Sequence, residues 1–102
     1  MRALLMMAAL LPFLASAEIA PSEVMIKSFA FGPQAVTVKA GTRVTWINKD
    51  IEPHTVVSSD HRFQSEALDT GDRFSVTFDQ AGTYGYFCSL HPHMTGTVTV
   101  TP

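Results

Sequence analysis

Beyond residue 20 the chain never sustains a helical period. Short runs of alternating apolar and polar residues recur instead, each closed by a turn signal, which is the pattern of an all-β sandwich or barrel. Val24 to Phe31 opens the series and ends at Gly32-Pro33. Ala35 to Lys39 puts Val36 and Val38 on one face before Ala40-Gly41, and Arg43 to Asn48 puts Val44 and Trp46 on one face with Thr45 and Ile47 on the other. His54 to Ser58 is β-branched, Arg73 to Phe78 turns Phe74, Val76 and Phe78 inward, and Thr83 to Cys88 and Gly96 to Thr101 complete the set. Ser59 to Asp72 is polar and irregular, with room for a short helical turn over Ser65 to Leu68. Seven or eight strands in so short a chain make a Greek-key sandwich the economical architecture. Tyr84 follows the Asp79-Gln80-Ala81-Gly82 turn, where it is either a tyrosine corner, its hydroxyl returning to the main chain, or an ordinary core tyrosine. Strand parity puts Tyr84, Tyr86 and Cys88 on one face and Phe87 on the other.

The first residues stand apart from this pattern. Met1-Arg2 is a short positive start, Ala3 to Leu14 is apolar, and Ala15-Ser16-Ala17 has the small residues a signal peptidase cuts after. The apolar run falls short of the about 20 residues that cross a bilayer. The expectation is an export signal over residues 1–17, a single domain over 18–102, and a periplasmic destination without membrane insertion. Seven basic side chains face nine acidic ones. They form no basic cluster of the kind nucleic acid requires. With one cysteine the chain can form no internal disulfide, and a lone thiol in an oxidising compartment survives only if buried or bound. A small domain without a disulfide and with a thiol to protect points toward a metal.

Cys88, His91 and Met94 lie in one short segment with the spacing Cys-x2-His-x2-Met, just after a strand whose inward face carries Cys88. A second imidazole, His54, opens a strand after Pro53, and two packed sheets can bring that strand end beside Cys88. Thiolate and thioether favour Cu(I), imidazole suits both copper oxidation states, and two histidines, one cysteine and a weak axial methionine form the blue-copper donor set. Structural zinc takes four strong donors and catalytic zinc keeps a position open for water; methionine serves neither. The expected ligands of one copper ion are His54, Cys88, His91 and Met94.

Trp46-Ile47-Asn48, Pro53-His54-Thr55-Val56 and Gly82-Thr83-Tyr84 through Cys88 resemble the plastocyanin–azurin superfamily, the cupredoxins, across the chain beyond the leader. The two residues between His91 and Met94, with the Trp-Ile-Asn and Cys-x-x-His-Pro-x-Met strings, are most similar to amicyanin. The resemblance implies an eight-stranded Greek-key β-sandwich or barrel, a type 1 copper ion, a covered His54, and a His91 whose ring edge reaches the surface. It also implies that Asn48 ties the His54 loop to the Cys88 region.

A rigid site of this kind suits an electron carrier and leaves no position for a substrate, so the chain is expected not to be an enzyme. Electrons would pass through His91 across a small docking patch of Pro53, Leu90, Pro92 and His93. The expected partners are transient redox proteins, a c-type cytochrome or a periplasmic dehydrogenase such as methylamine dehydrogenase, and the protein is expected to be monomeric. Leu90, His93 and Glu52 stand where amicyanins carry apolar residues or proline, which weakens the claim of methylamine dehydrogenase in particular. The competing readings are a periplasmic copper-delivery protein without redox traffic and, more remotely, a copper oxidase or nitrite reductase.

Overall fold

A computed structural model of the chain describes residues 22–102. The proposed leader and its cleavage point lie outside the described residues. Eight strands follow one another as β1 (Glu23–Lys27), β2 (Ala30–Gly32), β3 (Ala35–Lys39), β4 (Thr42–Asn48), β5 (Val57–Ser58), β6 (Arg73–Phe78), β7 (Gly82–Phe87) and β8 (Thr95–Thr101). They form two four-stranded sheets, ordered β2-β1-β4-β6 and β3-β8-β7-β5. Each sheet contains one parallel pair, β1 with β4 and β3 with β8, and is otherwise antiparallel. The expected all-β sandwich is the fold observed.

The alternation of the sequence is the cause of the layering. On β1, β3 and β8 the buried positions are every second residue, Val24 and Ile26, Val36 and Val38, Val98 and Val100. These meet Val44 and Trp46 from β4 and Tyr86 from β7 in one core. Trp46 is fully buried and lies edge to face with Tyr86 at 5.2 Å, with Phe63, Phe74 and Phe78 around it. Such aromatic pairs add about 0.5–1.5 kcal/mol each beyond the area they bury. Neither the Trp46 indole nitrogen nor the Tyr86 hydroxyl has a hydrogen-bond partner among the described residues. Burial dominates and pushes the Tyr86 phenol up to about 12, so it stays neutral at physiological pH.

Three sequence expectations change. The run from Val24 to Phe31 is two antiparallel strands and not one, because Ser28 and Phe29 both adopt left-handed backbone and fold β2 back on β1, pairing Lys27 with Ala30. The strand expected from His54 shrinks to Val57–Ser58, with His54 held by an isolated bridge to Leu68. No helical turn forms over Ser65 to Leu68; Gln64 bridges Val57 and Leu68 bridges His54, so this loop runs extended along the 54–58 segment. Tyr84 settles as a tyrosine corner, its hydroxyl donating to the Gln80 carbonyl at 2.7 Å.

The two sheets meet at the end where the site forms. From Asn48, the last residue of β4, residues 49–56 cross to the other sheet and enter it as β5 beside β7. His54 lies on that crossing. Cys88 leaves β7 at the same end, and seven residues later the chain returns as β8.

Candidate metal centre

Cys88 is fully buried, and its sulfur is the point on which the site converges. The Nδ1 atoms of His54 and His91 lie 3.8 and 3.7 Å from Sγ, and the three donor atoms are all within 4.8 Å of one another. Among the described residues this is the one group of three His, Cys or acidic side chains so arranged. Met94, 2% exposed, belongs to the same buried cluster as Cys88. The connecting loop is wound tightly: Cys88 N–H donates to the Met94 carbonyl at 3.1 Å, His91 N–H to the Cys88 carbonyl at 3.2 Å, and Met94 N–H to the His91 carbonyl at 2.9 Å. Those bonds make the short spacing effective, since they turn three consecutive donors toward one side.

His54 is fixed from its far side. Its Nε2 lies 2.8 Å from Oδ2 of Asp50. Burial would push the Asp50 carboxyl up, but amide donors from Phe29 and Ser28 and the His54 ring together hold it below the ordinary carboxylate value. An ionised carboxylate has no proton to give, so Nε2 carries the hydrogen and Nδ1 keeps its lone pair toward Cys88. Asp50 also receives Ser28 N–H at 2.6 Å and Phe29 N–H at 3.0 Å. Replacing Asp50 with alanine therefore strips an acceptor from three donors, one on a fully buried ring. The expected result is a loss of about 1–3 kcal/mol in the apo-protein and a copper affinity roughly 10–100-fold lower. Denaturant unfolding and competition with a copper chelator measure the two; a variant matching wild type in both would refute this reading of Asp50.

The residue after His54 does further work. Thr55 donates its backbone N–H to Cys88 Sγ at 3.3 Å, while its hydroxyl accepts Ser89 N–H at 2.7 Å and lies 2.8 Å from Ser89 Oγ. Thr55 thus binds the His54 crossing to the Cys88 loop. Asn48 makes a different connection from the one its resemblance implied. Its side chain donates to the carbonyls of Glu52 at 2.9 Å and Leu68 at 2.8 Å and accepts Asp50 N–H at 2.9 Å. It ties the His54 loop to the 59–72 loop, and the tie to Cys88 falls to Thr55.

His91 is half-buried, and Pro53, Leu90, Pro92 and His93 are exposed around the loops that carry the donors. Sequence reasoning missed three residues here: Asp50, Phe29 and Ile51. Phe29 lies edge to face with both imidazoles, 5.3 Å from His54 and 4.9 Å from His91. Ile51 is 88% exposed, two residues from Pro53. The i,i+4 spacing of Asp50 and His54 was the available signal for the first; a large apolar residue beside the expected patch was the signal for the last.

One soft thiolate-forming donor, two imidazoles whose Nδ1 atoms lie within 3.8 Å of it and a buried thioether form a set that fits copper and suits zinc poorly. A Greek-key β-sandwich with this arrangement at one end defines the type 1 copper class. The chain is a cupredoxin: the profile of the Cupredoxin-like domain family matches residues 1–100. It is 36% identical to amicyanin-alpha of Methylorubrum extorquens over 98% of this chain and 99% of that one. It is also 42% identical to a plastocyanin of Scenedesmus fuscus over 72% of this chain and 88% of the other. Among solved structures, a purple cupredoxin from Nitrosopumilus maritimus superposes with a TM-score of 0.75 at 35% identity, covering 79% of this chain and all of that one. A copper nitrite reductase from Thermus scotoductus also reaches 0.75 at 27% identity, but the likeness covers 91% of this chain and only 25% of the enzyme.

Proposed function

We propose that the protein is an exported, single-copper electron carrier of the periplasm, with copper held by His54, Cys88, His91 and Met94. The observation that carries this reading is the convergence of Cys88 Sγ and two imidazole Nδ1 atoms within 4.8 Å, from segments 34 residues apart. Bound copper supplies a reversible one-electron Cu(I)/Cu(II) couple. The chain's own part is to hold the donors still, because every displacement of a ligand during electron transfer adds to the barrier. Asp50 aims His54, the Thr55 amide binds the Cys88 sulfur, and the three loop hydrogen bonds hold His91 and Met94 in register. Asn48 acts one layer out, bracing the His54 loop against Leu68. Burial of Cys88 keeps water and oxidants from the thiolate.

The half-buried His91 is the exit for the electron. The docking patch comprises Pro53, Leu90, Pro92 and His93, extended by Ile51 and Phe29. Transient redox contacts of this type bury less than about 1,200 Å² in total, which a patch on three loop tips can supply. A c-type cytochrome or a periplasmic dehydrogenase, methylamine dehydrogenase included, fits such a patch. The protein works as a monomer and not as an enzyme, since its four donors leave no position for a substrate.

The test is to add Cu(II) to the purified protein and record its visible spectrum, its copper release to a chelator and its electron self-exchange. The expected outcome is an intense thiolate-to-copper band, slow release and fast exchange. Weak absorption with rapid release would favour copper delivery instead, and nitrite consumption by the pure protein would favour an enzyme.

A further inference from the structure

The turn between β1 and β2 is built against local preference. Ser28 and Phe29 form a two-residue hairpin loop with φ of 55° and 57°. Two successive left-handed residues define the turn type that normally selects Asn-Gly, because a side chain with a Cβ is disfavoured there. A bulky aromatic at the second position is the poorest choice for the backbone. Residues held this way persist only when their surroundings over-determine them, and they concentrate at functional sites.

The surroundings are on hand. One carboxylate, that of Asp50, accepts both turn amides, and the same Oδ2 that receives Phe29 N–H receives the His54 ring. The turn is therefore bolted to the imidazole it covers. The ring of Phe29 stands nearly perpendicular to both His54 and His91, at interplanar angles of 86° and 87°. His54 needs no such cover, being fully buried and anchored through Asp50. His91 is half-buried, and among the described residues no hydrogen bond to its Nε2 holds its ring. Phe29 also walls a recess of about 200 Å³ shared with His93, Met94 and Thr95, so removing the ring would open that recess toward the imidazoles.

We propose that Phe29 is a positioning residue that clamps the His91 ring in its metal-ready orientation and screens the donor cluster from water. Resting on the copper-carrier reading of the same site, it gives Phe29 a role inside the donor cluster beyond its place at the edge of the docking patch. A glycine would make the better hairpin, so the phenylalanine is there for its ring.

The experiment compares wild type with Phe29→Gly and Phe29→Tyr. Glycine suits the left-handed position, so the variant should fold and its apo-form should melt within a few degrees of wild type. Copper release to excess chelator should accelerate roughly 10-fold, and the His91 ring resonances of the apo-protein should show averaging absent from wild type. Phe29→Tyr, which keeps the ring, should restore both. A Phe29→Gly protein that releases copper at the wild-type rate with unchanged His91 resonances would overturn the clamp, as would a Tyr variant as leaky as the Gly one. Wild type that takes up no copper would sink the carrier reading, while the apo-protein resonances would still test the clamp.

Discussion

Cys88→Ser should abolish the intense visible absorption of the copper-loaded protein and its capacity for electron exchange, while the domain still folds. The sulfur lies within 3.8 Å of both Nδ1 atoms, and it alone supplies the soft, polarisable thiolate that selects copper. A serine oxygen is hard and sits on a shorter bond, so it reaches the cluster poorly and produces no thiolate charge transfer. Folding survives because the site is polar enough to satisfy a hydroxyl: the Thr55 N–H that faces the sulfur would face the oxygen instead. The expected change in apo stability is about 1 kcal/mol. Spectra, chelator competition and a denaturant titration of the same preparation measure all three. An unweakened charge-transfer band in Cys88→Ser would show that the Cys88 sulfur is not a copper ligand.

Gly96→Ala should be the most damaging change of a single methyl group. Gly96 pairs across the sheet with Tyr86, and a Cβ built on it would meet the Cζ and Oη of that ring at 2.3 Å. Carbon atoms in good contact sit about 3.5–4.0 Å apart, so the ring or the strand must move by more than an ångström. Neither can do so freely. Tyr86 is 1% exposed and wedged between Trp46 and Phe31, and both backbones are held by the β7–β8 ladder. Overpacking of this kind typically costs about 1–3 kcal/mol, and a contact this short in so rigid a place puts Gly96→Ala at the upper end. The strain falls on the site as well, since Tyr86 is two residues before Cys88 and Gly96 two after Met94. In a Tyr86→Leu background the same glycine substitution should cost under about 1 kcal/mol, a coupling that a double-mutant cycle reads directly. Tyr86→Phe gives no such relief, because Cζ itself is in the way. A Gly96→Ala protein as stable as wild type would show that the sheet yields where the geometry says it is rigid.

The alternation of residues made most of the fold legible. Five of the eight strands, β3, β4, β6, β7 and β8, lie within a residue or two of where the pattern puts them, because strand burial is a local, period-two property. The exceptions have two separate causes. Between Ile26 and Phe31 the buried positions switch from even to odd, a break that marks the hairpin, but Ser28-Phe29 carries none of the turn chemistry that would announce it. The 59–72 loop reads as polar and irregular because its bridges at Gln64 and Leu68 are single contacts, too sparse to impose an alternation.

Sequence alone determined the layered β architecture and the identity of the donors, since parity and the tight spacing of Cys88, His91 and Met94 are properties of neighbouring residues. Tertiary structure alone decided that His54 meets them, that Asn48 braces Leu68 while Thr55 takes the bond to Cys88, and that Asp50 reaches across the sheet edge to pin Phe29 over two imidazoles. Each of those contacts joins residues 20 or more positions apart, and which distant groups meet depends on how the two sheets stack, a choice no local pattern encodes.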